Sequence, residues 1–294
     1  MKSFKEVANE VINRCESGLS TRRQHVWLLE RLAKLHPIDI ATLGAPDLFA
    51  VLEQIGESTQ TARRAKMLVG RTVRYAIAKG YRHAPDFAAD MRGVLLRVAP
   101  TKSRAAIIDP AALGGLLRAI DTGLRPSPVR NALRLAAHVF VRPSELRSMR
   151  WEEVDFVKAE WVIPAAKTKM RREHVVPLSK QASGILWLDC APAQEGFVFP
   201  GRGKGVCLSE NMLTLGLRRL MYGPDEMSGH GFRATASTLL GEMGVERELI
   251  ELQLAHLVGS GTRRAYDRAL RLDERRAMMQ TWSDRLDSLR DGGL

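Results

Sequence analysis

Apolar residues recur at helical spacing through most of this chain, and strand-like patterning is confined to one window between residues 153 and 200. The expected fold class is therefore mainly α with a small β-sheet. Phe4, Val7, Ala8, Val11, Ile12 and Cys15 mark a first helix. Ser20 is placed to cap a second, with Val26, Leu29 and Leu32 on its apolar side. Pro46 suits the first turn of a third, in which Leu48, Leu52 and Ile55 point inward. The stretch "STQTARRAKMLVGRTVRYAIAKG" then runs from a Ser/Thr start to Gly80, a natural stop for a fourth helix. Its apolar stripe is Ala62, Ala65, Val69, Val73 and Ala76, and Arg63, Arg64, Lys66, Arg71 and Arg74 are read as the opposite arc. A basic arc is usually only a solvated face. Here no acidic residue interrupts it from Thr61 to Gly80, which favours a face that tracks phosphates.

Periodicity fades around "RVAPTKSRAAII", and residues 98–108 are read as a linker between a helical domain, 1–97, and a second domain, 109–294. The second domain opens with Asp109 and Pro110 in cap and first-turn positions, followed by Leu113, Leu116, Leu117 and Ile120. Ser127-Pro128 starts a further helix with Val129, Leu133, Ala136 and Phe140. "EWVIPA" and "EHVVPLS" flank the basic turn "AKTKMRR" as a hairpin, and "GFVFP" is a third short strand. After Ser209 the chain is helical again. In the final segment Met279, Trp282, Leu286 and Leu289 share one face, which serves equally to pack on its own domain or to dock on a neighbouring protomer.

Charge narrows the partner. Forty-five Lys and Arg against 33 Asp and Glu give a formal net charge of +12, which suits a polyanion because basic side chains release counterions from nucleic acid. Cys15, Cys190 and Cys207 are few and far apart, so neither a disulfide framework nor a zinc ribbon is expected. No apolar signal core and no run of about 18 apolar residues is present, so the expected location is the cytoplasm, with no membrane span.

Four short stretches could carry chemistry. In "HVFVRPSELRSMRW", Arg142 follows an apolar helix and Glu145 lies three residues on. A buried guanidinium needs a partner, so the pair is either an internal ion pair or a braced fork that holds an anion. The hairpin turn carries Lys167, Lys169, Arg171 and Arg172, either a solvated turn or a flexible lysine that protonates a leaving oxygen. In "MSGHGFRATAS", His230 and Arg233 share one helix face, as ordinary packing or as two donors to one phosphate. In "QLAHLVGSGTRRAYDRA", His256 precedes a glycine-loosened stretch that ends at Tyr266, whose phenol could attack phosphorus. No Asp/Glu cluster with magnesium-ligand spacing and no Walker-type glycine loop is present, so neither a metal nor a cofactor is expected.

Each signal is weak alone, but their order (Arg, Lys, His-x-x-Arg, His, Tyr) resembles the tyrosine recombinases, also called the phage integrase family. The likeness is greatest to integrases of satellite phages and genomic islands. It extends over nearly the whole chain through "FKEVANEVI", "TARRAKMLVGRTVRYAIAKG", "VRPSELRSMRW", "WVIPAAKTKMRREHVVPLSKQA", "GHGFRATASTLL", "IELQLAH" and "AYDRAL".

The resemblance implies a helical core-type DNA-binding domain and an α/β catalytic domain that together clamp duplex DNA. It implies site-specific strand exchange through a 3′-phosphotyrosine, and catalytic roles for Arg142, Lys169, His230, Arg233, His256 and Tyr266, with Glu145 behind Arg142. Lys169 is preferred over Lys167 because it stands eight residues before Pro177. Arg63, Arg64, Lys66, Arg71, Arg74, Arg171 and Arg172 would contact the DNA. The implied partners are double-stranded DNA with a specific core site and three further copies of the chain during synapsis, the free protein being a monomer at the nucleoid. Larger relatives carry an added N-terminal domain for arm-type sites, whereas this sequence starts almost at the core-binding region, so it is read either as a trimmed form or as a simpler recombinase without arm sites. Two rival readings are a type IB topoisomerase-like relaxing enzyme and a catalytically silent DNA-binding regulator.

Overall fold

A computed structural model describes residues 1–14, 18–56, 59–91, 105–190, 195–256 and 271–293. The chain divides into two compact units, Met1–Lys102 and Ser103–Leu294.

Unit 1 is helical: α1 Phe4–Arg14, α2 Leu19–Arg31, α3 Ala45–Ile55, α4 Gln60–Ala78 and the short α5 Phe87–Asp90. Phe4, Val7, Leu28, Leu32, Leu48 and Leu52 close around the small-residue face of α4, where Ala62, Ala65 and Ala76 are fully buried. Thr59 caps α4 by accepting from the Ala62 amide at 3.1 Å.

Three sequence expectations need correction here. α2 starts at Leu19 with Gly18 as its cap, so Ser20 lies inside the helix and is not the cap residue. Leu29 and Leu32 are buried as expected, but Val26 is 44% exposed and Leu28 is buried in its place, so the inward stripe runs through 28, 29 and 32. Lys66 does not belong to the basic arc of α4. It is one residue from buried Ala65, is only half-exposed, and its ammonium donates to the Met91 carbonyl. At 100° per residue it lies about 60° from Arg63 but about 160° from Arg64, at the border of the apolar stripe, whereas Arg63, Arg64, Arg71 and Arg74 form one exposed arc.

Unit 2 packs α6 Pro110–Gly123 and α7 Pro128–Val139 with the C-terminal helix Leu272–Arg290. Asp109 and Ser127 cap α6 and α7, with proline in the first turn of each. The three antiparallel strands run in the order β1 Val154–Asp155, β2 Glu160–Ile163 and β3 His174–Pro177, with Trp161 opposite Val176 and Ile163 opposite His174. "GFVFP" is not a strand of this sheet. Among the described residues it makes only single bridges, Phe197 with Arg150 and Pro200 with Cys207, each pairing ending after one residue. The helices α8 Pro143–Arg147, α9 Lys180–Gly184, α10 Met212–Arg219, α11 Gly231–Glu242 and α12 Arg247–Gln253 complete the described unit.

The C-terminal helix packs on its own unit. Trp282 is fully buried, donates from Nε1 to the Ala137 carbonyl at 2.8 Å, and meets the Phe140 ring edge-on at 6.3 Å. Close approach needs glycine at 114, where a Cβ would come within 2.2 Å of the Leu289 carbonyl oxygen. Among the described residues no helix is long and apolar enough to cross a membrane.

Candidate active site

α7 ends at Phe140 in the left-handed region, φ 35°, which reverses the chain and delivers Arg142 to the N-cap of α8. Pro143 supplies the first helical position and Glu145 the third. Glu145, 2% exposed, accepts from the Arg142 amide at 2.9 Å and from Nη1 at 2.8 Å. One carboxylate thus caps the helix and braces the guanidinium, leaving Nη2 to reach the Ala255 carbonyl at 3.4 Å.

α11 delivers Arg233. His230 is its N-cap residue and Gly231 its first position, where a Cβ would lie 2.5 Å from the Ala105 carbonyl oxygen and 2.7 Å from the Met227 sulfur. The start of the helix is tied to residues 105–107. Ser228 Oγ donates to the Ala105 carbonyl at 3.2 Å, and Thr235 Oγ1 to that of Ile107 at 2.7 Å. Arg233 is therefore set rigidly and deep, at 5% exposure. Its Nη1 donates to the Phe140 carbonyl at 3.0 Å and its Nη2 to that of Leu254 at 2.8 Å. Among the described residues no carboxylate is a hydrogen-bond partner of Arg233. Burial, and then the like charge of Arg142, pull its pKa down to about 10, so it stays cationic at neutral pH.

The third element is the end of α12. Ala255 adopts φ 49°, and the three residues 254–256 then face the arginines. Leu254 and Ala255 offer carbonyls, and His256 places Nε2 at 3.3 Å from Arg233 Nη2. Since Arg233 can only donate, Nε2 is the acceptor here, and Nδ1 carries the proton toward Glu251 Oε2 at 2.6 Å. Two left-handed non-glycine residues, Phe140 and Ala255, thus aim their carbonyls at the two arginines. Such backbone strain concentrates at functional sites.

Behind this group lies His174, whose Nε2–H donates to the Gln253 carbonyl at 3.1 Å. Burial pushes its pKa down to about 3, aided by the positive charges of Arg275, Arg233 and Arg142. It is a neutral spacer beside the cations. Arg275, 2% exposed, ties the C-terminal helix to Gln253 Oε1 at 2.6 Å and to the Val175 carbonyl at 2.6 Å. Sequence reading passed over His174, Glu251, Gln253 and Arg275. The available signal was polar residues inside otherwise buried runs, and only the fold brings them together.

The hairpin separates its two lysines. Lys167 is half-buried and ion-paired to Glu153, whereas Lys169, Arg171 and Arg172 are exposed near the tip. Arg63, Arg64, Arg71 and Arg74 lie on unit 1 and are exposed, with Arg74 paired to Asp86 at 3.0 Å. Arg142, Arg233 and His256 are brought together, and His230 sits one helical turn before Arg233. Tyr266 lies outside the described residues.

A helical unit followed by a unit with paired arginines and a basic hairpin has the fold of known integrases. The chain superposes on a lambda integrase dimer bound to a COC' core site with a TM-score of 0.66 and 15% identity, over 87% of this chain and 94% of that one. It superposes on the Tn1549 transposon integrase in complex with transposon right end DNA with a TM-score of 0.70 and 15% identity, over 96% of this chain and 99% of that one. Residues 4–94 match the phage integrase central domain and residues 107–271 the phage integrase family. This chain belongs to the phage integrase family. It is 36% identical to the integrase of Enterobacteria phage P4 over 86% of this chain and 61% of that protein. It is 32% identical to the putative protein IntB of Escherichia coli K12 over 99% and 78%. The chain spans between about half and three-fifths of the length of the first curated relatives it matches.

Proposed function

We propose that this chain is a tyrosine site-specific recombinase that cuts and rejoins duplex DNA at a specific core site through a 3′-phosphotyrosine. The observation that carries the reading is the pairing of Arg142 and Arg233 on one site beside His256, with both guanidiniums held by backbone carbonyls. Two adjacent cations repel, which adds to burial in lowering the pKa of Arg233, and a phosphate placed between them removes that repulsion.

In this reading Arg142 and Arg233 bind the non-bridging oxygens of the scissile phosphate and neutralise charge in the transition state. Tyr266 attacks phosphorus as His230 takes the phenol proton. The bond to the 5′ oxygen breaks as Lys169 gives that oxygen a proton. His256 would hydrogen-bond the phosphate. Its Nε2 now faces an Arg233 donor, a contact the phosphate must displace. The phosphotyrosine keeps the energy of the phosphodiester, so rejoining needs no ATP. The exposed arc Arg63, Arg64, Arg71 and Arg74, with Arg171 and Arg172 on the hairpin, would hold the DNA backbone. Synapsis would use four copies of the chain. Residues 1–97 would form the core-binding domain, 98–108 the linker and 109–294 the catalytic domain.

Sequencing the DNA junctions the protein creates in cells defines the core site. A nicked suicide duplex of that junction should then trap a covalent adduct with the native chain. Tyr266→Phe should bind the same duplex and form none. An adduct formed by Tyr266→Phe removes this assignment of the nucleophile.

A further inference from the structure

The two lysines of the hairpin are two residues apart, yet their surroundings differ. Glu153 is a carboxylate with a 7% exposed side chain that gathers three donors. Its Oε2 accepts from the Arg150 amide at 3.2 Å and from Trp161 Nε1 at 3.1 Å, and its Oε1 accepts from Lys167 Nζ. Lys167 Nζ also donates to the Ser148 carbonyl at 2.6 Å. Ser148 is the C-cap residue of α8, the helix whose N-cap is Arg142. One ammonium therefore joins three elements: the end of the Arg142 helix, the turn before β1, and the base of the hairpin.

From that base outward the loop is stapled again. The buried Thr168 hydroxyl donates to the Arg172 carbonyl at 2.7 Å and accepts from the Arg172 amide at 3.0 Å. Between these two residues Arg171 takes φ 51°, a tight reversal. The three residues 169–171 then form a short tip on a fixed stem, with Lys169 exposed at its first position.

Resting on the recombinase reading above, we propose that Lys167 and Glu153 form a positioning clamp which couples the Arg142 helix to the hairpin, so that Lys169 alone delivers the proton and Lys167 acts only through it. Lys167 cannot serve as the acid while it satisfies Glu153, because releasing it would leave a buried carboxylate without its counter-charge. Its contribution is to hold the distance between the arginine that binds the phosphate and the lysine that serves the leaving oxygen. Proton balance is unchanged: one proton moves from Lys169 Nζ to the departing 5′ oxygen.

The test uses single-turnover cleavage of the junction duplex in two forms, one with the ordinary phosphodiester and one with sulfur replacing the 5′ bridging oxygen. A thiolate leaves without being protonated, so the sulfur duplex bypasses the general acid. Lys169→Met should lose about a hundredfold or more on the oxygen duplex and stay within a few-fold of the native chain on the sulfur one. Lys167→Met alone would strand Glu153, so the clamp is removed with Glu153→Gln and Lys167→Met together, which is neutral and keeps acceptors for Arg150 and Trp161. That double variant should lose about tenfold on oxygen and recover on sulfur. Adding Lys169→Met to it should cost nothing beyond Lys169→Met alone, the signature of two groups acting in series.

Independent, multiplying losses in the triple variant overturn the proposal, and so does a native rate for the double variant. A loss by the double variant that is equal on oxygen and sulfur also overturns it, by pointing to general damage. An oxygen-specific defect from losing Lys167 that exceeds that of Lys169→Met would make Lys167 the acid itself. These outcomes are separate from covalent trapping by Tyr266→Phe, which would remove the recombinase reading instead.

Discussion

Arg82 in unit 1 and Arg233 in unit 2 are each buried to 5% exposure and, among the described residues, neither has a carboxylate hydrogen-bonded to it. Both have a pKa lowered first by burial. Their donors differ. Arg82 spends all three nitrogens on backbone carbonyls. Nη1 donates to Ile40 at 2.7 Å and Leu43 at 2.8 Å, Nε to Ala84 at 3.2 Å, and Nη2 to Pro85 at 3.4 Å. It pins the connection between α2 and α3 with every nitrogen engaged. Arg233 uses only Nη1 and Nη2, and its Nε has no acceptor among the described residues. A second arginine adds repulsion there, whereas the nearby charge at Arg82 is the opposite one of Asp86. In the recombinase reading, it is the engagement of the donors, not burial or residue type, that separates an arginine that holds the fold from one that would bind an anion.

The largest test of that contrast is Arg233→Lys. A single ammonium cannot span the Phe140 and Leu254 carbonyls and still meet a phosphate, so cleavage should fall by about a thousandfold with DNA binding retained. Adduct formation close to the native rate would break the comparison. Arg82→Lys should do the reverse. Carbonyls left unpaired should cost on the order of 3 kcal/mol of stability, read by urea unfolding, while the bound complex cleaves at its native rate.

Acid should also affect unit 2 strongly. Burial holds His138 down at about 4 and His174 at about 3, each neutral in the fold. Unfolded histidines titrate near 6.5, so the unfolded state binds more protons between these values and stability falls as pH drops below about 6.5. Above that pH the stability is fully present. For His138 the loss should reach at most about 3 kcal/mol by pH 4, measured as a shift of the unfolding midpoint that His138→Gln flattens.

The exposed arc of α4 should show smaller, additive effects. Arg71→Ala should weaken DNA binding a few-fold and lower the slope of log affinity against log salt by about one, without changing cleavage of bound DNA. An unchanged salt slope would take Arg71 off the phosphate path. The smallest effect belongs to Ala255→Gly, which should relieve left-handed backbone strain at φ 49° and stabilise the fold by about 1 kcal/mol. A loss of stability there would mean that the Ala255 methyl packs more than its backbone strains.

Much of the local architecture was legible in the sequence because its causes are local. Asp109-Pro110 and Ser127-Pro128 mark helix starts through a side chain three residues from the amide it caps. The hairpin was legible from two alternating runs around a basic turn. "GFVFP" misled because each neighbour pairs with it at a single residue, and no local pattern states how far a pairing will run. Lys66 misled because a long side chain at the edge of an apolar stripe can turn its ammonium back to a carbonyl on another helix.

By itself, the sequence determined the mainly helical class, since hydrophobic spacing is written in it, and it offered the ordered candidates Arg142, Lys169, His230, Arg233, His256 and Tyr266 through their resemblance to the integrases. Only the tertiary structure decided what each charge touches. Arg142, Arg233 and Arg275 all reach backbone carbonyls, a group every residue carries and no residue type advertises. The same is true of Lys167 and Lys169. Two residues apart they are nearly equivalent in sequence, and the long-range contact of one with buried Glu153 is what leaves the other at the tip.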